Sequence, residues 1–212
     1  MNSKQRTELS RALSRMLRHN AANEGLAVRS DGYISVAAIL ARPKLKKFQA
    51  TQAKIEEVVA LDNKSRYAMQ QIDGVLFIRA NQGHSIQVDD LELEKIQDAT
   101  RFPVVLHGTN ETALKLIQES GGLSKMKRNH IHLATGKFGD EGVTSGVRKD
   151  CTVFIYVDMA KAMADGILFY KSANGVILTA GIDGILADKY FSKVEQSEDK
   201  STNEAEPSKK DF

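Results

Sequence analysis

Four clusters of residues have the types and spacing that chemistry needs. Leu17-Arg18-His19 closes a basic, helix-patterned stretch. A guanidinium fork beside an imidazole can grip a phosphate and move a proton. A helix C-terminus also favours cations for its own reasons, so the triplet alone reads equally as a solvated helix end. Lys64-Ser65-Arg66-Tyr67 leads into an alternating pattern, and Arg66 by itself would pass for a surface arginine. Asn81-Gln82-Gly83-His84-Ser85 directly follows a strand-like run. A glycine among short polar side chains lets backbone amides approach a ligand. The fourth cluster pairs His107-Gly108-Thr109 with Arg128-Asn129-His130-Ile131-His132-Leu133. If the latter is a strand, Arg128, His130 and His132 share one face, and Ile131 and Leu133 share the other. Two histidines two apart raise the idea of zinc. Cys151 is solitary, however, and His84 belongs to another segment, so no full ligand set has suitable spacing and no metal is expected.

These residues need elements to hold them. Between Thr7 and Asn20, Leu9, Leu13, Met16 and Leu17 recur at helical spacing, with Arg11, Arg15 and Arg18 on the opposite side. Such a helix packs one face and offers cations on the other. Residues 29–34 read as a turn into a short strand. Ser35 caps a short helix over 36–40 that stops before Pro43, and Thr51 caps another through Leu61. Residues 66–71 and 75–79 alternate around Asp73-Gly74, a hairpin signal. Helices followed by a hairpin suggest a winged-helix module over residues 1–95, by fold analogy. A linker is expected near 94–101. Strand-like runs follow at 104–106, 131–133, 152–157, 168–170 and 176–179, with helices over 111–120 and 160–165. This pattern predicts a mixed α+β domain over 96–192 with a split sheet. From Lys193 apolar residues nearly vanish, so 193–212 reads as a disordered tail.

Composition bounds partner and compartment. The 212 residues are 42% hydrophobic, enough for one sizeable core or two small ones. The formal net charge of +3 conceals an asymmetry. Residues 1–47 hold ten Lys or Arg against three acids, a local net of +7, whereas 193–212 hold four Lys against six acids. A basic N-terminal part suits a polyanion through counterion release, and suits plain solvation as well. A single cysteine excludes an intrachain disulfide and fits a reducing compartment. Met1 to Arg6 lacks the apolar core of a signal peptide, and no apolar run approaches the roughly 20 residues that span a bilayer. The expectation is a soluble, monomeric, intracellular protein, cytoplasmic or nuclear, that works without a membrane.

In their joint order the clusters resemble the RNA 2'-phosphotransferase family, enzymes that complete tRNA splicing in fungi and plants and occur in bacteria and archaea. The resemblance is carried by Leu17-Arg18-His19, Arg66-Tyr67, the run from Ile78 to Ser85, Leu106-His107-Gly108-Thr109, the run from Arg128 to Leu133, Ser145-Gly146-Val147-Arg148 and Ser172-Ala173-Asn174-Gly175-Val176-Ile177-Leu178. It implies an α+β protein with a winged-helix-like lobe that meets RNA and an ADP-ribosyltransferase-like split-sheet lobe that holds NAD⁺. The active site would lie in the cleft between them. It implies a catalytic tetrad of Arg18, His19, Arg66 and Arg128. It also implies NAD⁺ contacts from Asn81, Gln82, Gly83, His84, Ser85, His107, Gly108, Thr109, His132, Ser145, Gly146, Arg148 and Ser172.

The wider ADP-ribosyltransferase class uses a His, a Tyr and a catalytic Glu, and this chain has His107, His132 and Val176 at those stations. A Glu helps when a neutral nucleophile must lose a proton. An RNA 2'-phosphate is already anionic, and a carboxylate would repel it. The implied reaction has two steps. The 2'-phosphate first displaces nicotinamide from NAD⁺ to give ADP-ribosylated RNA. A ribose hydroxyl then attacks the phosphorus, releasing 2'-hydroxyl RNA and ADP-ribose 1'',2''-cyclic phosphate. The expected substrate is RNA with an internal 2'-phosphate, spliced tRNA by resemblance. Two other readings stand beside it. One is an ADP-ribosyltransferase that caps nucleic acid or modifies protein without removing phosphate. The other is a non-catalytic nucleic-acid binder, which leaves His107-Gly108-Thr109 and residues 128–133 unaccounted for.

Overall fold

The chain opens on a helix that its own residues cap. Asn2 accepts from the Gln5 amide while the Gln5 side chain accepts from the Asn2 amide, a capping box that starts α1 (Ser3–Arg15). A computed structural model describes residues 1–196. Leu9 and Leu13 point inward from α1. The helix does not continue regularly to Asn20, because Met16–Asn20 is a π-helical turn. Its wider i→i+5 ring takes later residues out of the α register. The expected arginine stripe is therefore broken: Arg11 and Arg15 are exposed, and Arg18 is half-buried.

Ser35 caps α2 (Val36–Leu40), Pro43 opens α3 (Pro43–Lys46), and Thr51 caps α4 (Gln52–Ala60). The short β1 (Ile34–Ser35) joins the hairpin of β2 (Tyr67–Ile72) and β3 (Val75–Ala80) in an antiparallel sheet of order β1-β3-β2. Asp73 and Gly74 both take positive φ, 50° and 77°, as the tight hairpin turn requires. Helices and sheet enclose one core that includes Leu9, Leu13, Leu17, Ile39, Ile55 and Ile78.

A second core surrounds Leu133, Val153, Ile155, Phe169, Ile177 and Tyr190. It is built from β4 (Leu93–Lys95), β5 (Leu106–Thr109), α5 (Glu111–Glu119), β6 (Gly122–Ser124), β7 (Ile131–Leu133), β8 (Val153–Val157), α6 (Met159–Ala164), β9 (Tyr170–Ser172), β10 (Ile177–Thr179), β11 (Ile185–Ala187) and β12 (Phe191–Gln196). One antiparallel sheet has the order β4-β9-β10-β7, another β12-β8-β5, and β11 pairs with β6. The two larger sheets touch where Leu106 and Ala134 exchange backbone bonds of 2.9 and 2.8 Å. That seam sets β5 beside β7. No helix among the described residues is long and apolar enough to cross a membrane.

Several boundaries depart from the sequence reading: β5 covers Leu106–Thr109 instead of 104–106, and β9 covers Tyr170–Ser172 instead of 168–170. β4 lies across the start of the stretch read as a linker and pairs with β9, so the change of sheet comes before Leu93. Residues 193–196, expected to begin the tail, belong to β12 and pair with β8. An edge strand needs only backbone partners on one side, so its polar composition hid it. The rest of the expected tail, 197–212, lies outside the described residues.

Candidate active site

The loop after β3 gathers the first cluster. Ser85 and Ile86 donate their amides to the Arg18 carbonyl at 2.9 and 3.3 Å, which pins the π turn to the loop. Gly83 sits at φ 90°, and a Cβ there would stand 3.3 Å from Arg18 Nε and 3.5 Å from its Cζ. The guanidinium thus lies against bare glycine backbone, in a conformation other residues rarely adopt. His19 Nδ1 is 2.9 Å from Ser85 Oγ, a bond that orients the ring.

Arg66 is fixed from both ends of the chain. Its amide and guanidinium both donate to the Asp62 carboxylate, an ion pair that the spacing of four residues allows. The Arg66 carbonyl accepts from the Asn81 amide at 2.8 Å, and the Ser65 carbonyl accepts from Asn81 Nδ2 at 2.7 Å. From the second core, Asn174 Nδ2 donates to the Lys64 carbonyl at 3.1 Å. Three consecutive carbonyls are held, and Ser65 between them takes φ 44°.

Arg128 departs from the expected strand. β7 starts only at Ile131, and the Arg128 amide closes a turn onto the Lys125 carbonyl at 3.0 Å. Arg128 is therefore exposed on a turn, while Ile131 and Leu133 are buried and His132 is half-buried as alternation requires. Asn129 joins this turn to the loop: its amide donates to the His84 carbonyl at 2.9 Å, and its Nδ2 to the Ile86 carbonyl at 3.0 Å. Asp62, Asn129 and Asn174 were not singled out from the sequence. The two asparagines do lie inside quoted motifs, which was the available signal.

Across the seam, His107 Nδ1 donates to the His132 carbonyl at 3.0 Å, which sets the tautomer and leaves Nε2 as an acceptor. Gly108 admits its neighbours closely, for a Cβ there would meet Val147 Cγ2 at 2.6 Å and Cys151 Sγ at 2.9 Å. Ser145-Gly146-Val147-Arg148 is thereby packed onto β5, with Gly146 at φ 94° against Ala134. Thr109 and Gln82 are buried, Ser145 is half-buried, and Arg148 is exposed with its Nε 3.8 Å from Asp150. Ser172 is held within its own turn. Its buried hydroxyl donates to Asn174 Oδ1 at 2.9 Å and accepts the Val176 amide at 3.1 Å, so the β9–β10 turn occupies it.

Electrostatics tie the segments together. Burial holds the Arg18 guanidinium below its ordinary value, and the charges of Arg128 and Arg66 push the same way. His19 is lowered by burial, then by Arg128, Arg18 and Arg15. Burial, with Arg18, His19 and Arg79, takes His84 to about 4. Burial, with Arg128 and Arg18, takes His132 to about 3. The charges of Arg18, Arg66 and Arg128 thus act on one another, and those of Arg18 and Arg128 also depress His132, so these segments lie near one another. Arg18 Nε, Asn81 Oδ1, both ring nitrogens of His84 and His132 Nε2 are buried without a hydrogen-bond partner. Buried polar atoms are normally paired, so this concentration suits a polar, anionic ligand with donors and acceptors of its own. Among the described residues no group of three His, Cys, Asp or Glu could hold a metal ion.

Comparison with known proteins bears on the family. Residues 4–181 match the family described as RNA 2'-phosphotransferase, Tpt1 / KptA family. A Schizosaccharomyces pombe relative is 49% identical over 202 residues, covering 95% of this chain, which spans only 54% of that protein's length. The Danio rerio protein named tRNA 2'-phosphotransferase 1 is 45% identical over 89% of this chain and 84% of its own. The Saccharomyces cerevisiae tRNA 2'-phosphotransferase is 35% identical over 90% of this chain and 85% of its own. With its motifs in order and most of its length matched, the chain belongs to the RNA 2'-phosphotransferase family.

Proposed function

We propose that this chain is an NAD⁺-consuming enzyme that removes an internal 2'-phosphate from RNA, with spliced tRNA as substrate. What supports the reading is that the charges of Arg18, Arg66 and Arg128 act on one another, with His19 bonded to Ser85 on the loop that Asn129 ties to the Arg128 turn. The first core, helices followed by a hairpin, forms the winged-helix-like RNA lobe. The second, with two sheets adjoining at the β5–β7 seam, forms the ADP-ribosyltransferase-like lobe.

NAD⁺ supplies an electrophilic anomeric carbon and a neighbouring ribose hydroxyl. His107, Gly108 and Thr109 hold its nicotinamide ribose, with the loop of Ser145, Gly146 and Arg148 beside them. His132 offers Nε2 at the nicotinamide end. Asn81 to Ser85 form the interlobe wall, and Ser172 acts through Asn174 on the β9–β10 turn.

The RNA 2'-phosphate needs no base to attack, and its charge must be balanced. Arg18 and Arg66 present guanidinium forks to its oxygens, and Arg128 spans phosphate and ribose. In the second step the RNA 2'-oxygen leaves as the new phosphorus–oxygen bond forms, and it must take a proton. The proton affinity of His19 is lowered, first by burial and then by the charges of Arg128, Arg18 and Arg15. A bound phosphate offsets those charges and raises its proton affinity, so substrate favours the acid form. Val176, at the station of the catalytic Glu of the wider class, is fully buried and carries no carboxylate. That favours phosphate removal over stable ADP-ribosylation.

Incubation with a short 2'-phosphorylated RNA tests the reading. With NAD⁺ the expected products are 2'-hydroxyl RNA, nicotinamide and ADP-ribose 1'',2''-cyclic phosphate, and without it none. A permanent ADP-ribose adduct on the RNA would replace this reading with a capping one.

A further inference from the structure

We infer that the groove between α1 and α4 is a second RNA subsite, a track for the strand that leads away from the reacting phosphate. The groove has a volume of about 600 Å³, and its lining includes Arg6, Ser10, Arg11, Ser14, Arg15 and Arg66. Arg66, assigned above to the phosphate clamp, also lines this groove, so the track starts at the clamp. From Arg15 to Arg6 the helix advances roughly 13 Å at about 1.5 Å per residue, a length that takes several nucleotides. Arginine forks are the donors that backbone phosphates use, whereas the Ser10 and Ser14 hydroxyls are already bonded to the Tyr67 hydroxyl. The acid in the groove, Asp62, is already paired with Arg66. Arg6 keeps only a long, 3.9 Å contact with Glu57. A neighbouring groove of about 580 Å³ shares Arg11 and Arg15 but contains Glu8 and Glu24, with Lys44 committed to Glu24. Its carboxylates oppose a phosphate chain, so the strand follows the α1–α4 side. The π turn explains the division of labour: Arg18 is taken into the cleft, and Arg11 and Arg15 stay outside along the strand's path.

The assignment rests on Arg66 as part of the phosphate clamp, and a test by binding keeps the two separable. The probe is a single-stranded RNA of about ten nucleotides, within the site sizes that such grooves accommodate. Its affinity is measured by fluorescence anisotropy across a salt series, and turnover is measured on a 2'-phosphorylated dinucleotide. The variant Arg6→Ala/Arg11→Ala should weaken binding of the longer RNA by roughly tenfold, and flatten its log–log salt slope by about 1.4, about 0.7 per lost contact. Turnover of the dinucleotide should not change. Lys44→Ala/Lys47→Ala, on the neighbouring groove, should leave both readouts unchanged. Unaltered RNA affinity and slope in the arginine variant, or a larger loss in the lysine variant, would overturn the track. A wild-type protein that binds the longer RNA through Arg6 and Arg11 yet turns over no dinucleotide would keep the track and remove the catalytic reading.

Discussion

At the scale of single residues, the cleft depends on guanidinium shape as well as charge. Arg66→Lys keeps a cation for the buried Asp62 carboxylate but loses the planar fork. Its turnover should fall by roughly 30-fold or more, the scale of one lost charge-assisted contact to a reacting phosphate. Calorimetric titration should show NAD⁺ affinity retained, and normal turnover would remove Arg66 from the clamp. His19→Ala should let ADP-ribosylated RNA build up, because only the second step needs a proton donor. Equal slowing of both steps, followed by mass analysis of the RNA over time, would leave His19 a clamp residue alone. The depressed proton affinity of His19 has burial as its first cause, so the leaving-group role depends on the substrate phosphate to restore it.

At the scale of elements, the site is assembled by loops that strands and turns hold in place. The β9–β10 turn reaches across to the Lys64 carbonyl through Asn174, beside a Ser65 in the left-handed region. Asn174→Ala removes that tie and also leaves the Ser172 hydroxyl without its 2.9 Å partner. The expected loss of stability is about 1–3 kcal/mol, read by urea unfolding. Turnover well below the melting temperature should fall by as much as about 100-fold, since a misplacement near 1 Å can cost that much. A variant with the stability loss but wild-type turnover would confine Asn174 to folding. The π turn is the other such device. It was invisible to an analysis of helical periodicity, because Leu13, Met16 and Leu17 fit a plain helix equally well.

At the scale of the whole molecule, two histidines with depressed proton affinity, buried His84 and half-buried His132, make the fold sensitive to acid. His84 titrates at about 4 and His132 at about 3 in the folded chain, against 6.5 when unfolded. Their folded affinity for protons is depressed, so their contribution is complete above pH 6.5. As pH falls from 6.5 towards those values, the unfolded chain binds protons that the fold refuses. Stability should then drop by about 1.4 kcal/mol per pH unit for each histidine, until the folded groups protonate in turn. Urea unfolding at pH 7 and pH 5 measures this. A flat response over that interval would mean that neither ring is held neutral. Ligand should oppose the trend, because anions bound among Arg18, Arg66 and Arg128 stabilise only the folded form.

Much of this was legible in the residues alone, for reasons that are local. The Asp73-Gly74 hairpin, the Ser35 and Thr51 caps and the 131–133 alternation follow from backbone preferences and side-chain period, which a sequence carries directly. The ordered motifs also disclosed the family. Short strands such as β4, β6 and β11 escaped, since three residues hold too little pattern and their stability comes from partners elsewhere in the chain. Only the tertiary structure decided that Arg18 lies on Gly83, that Asn129 ties to His84, and that Asn174 reaches Lys64. Those contacts join residues far apart in sequence, and their geometry depends on how two cores pack, a property that no local window contains.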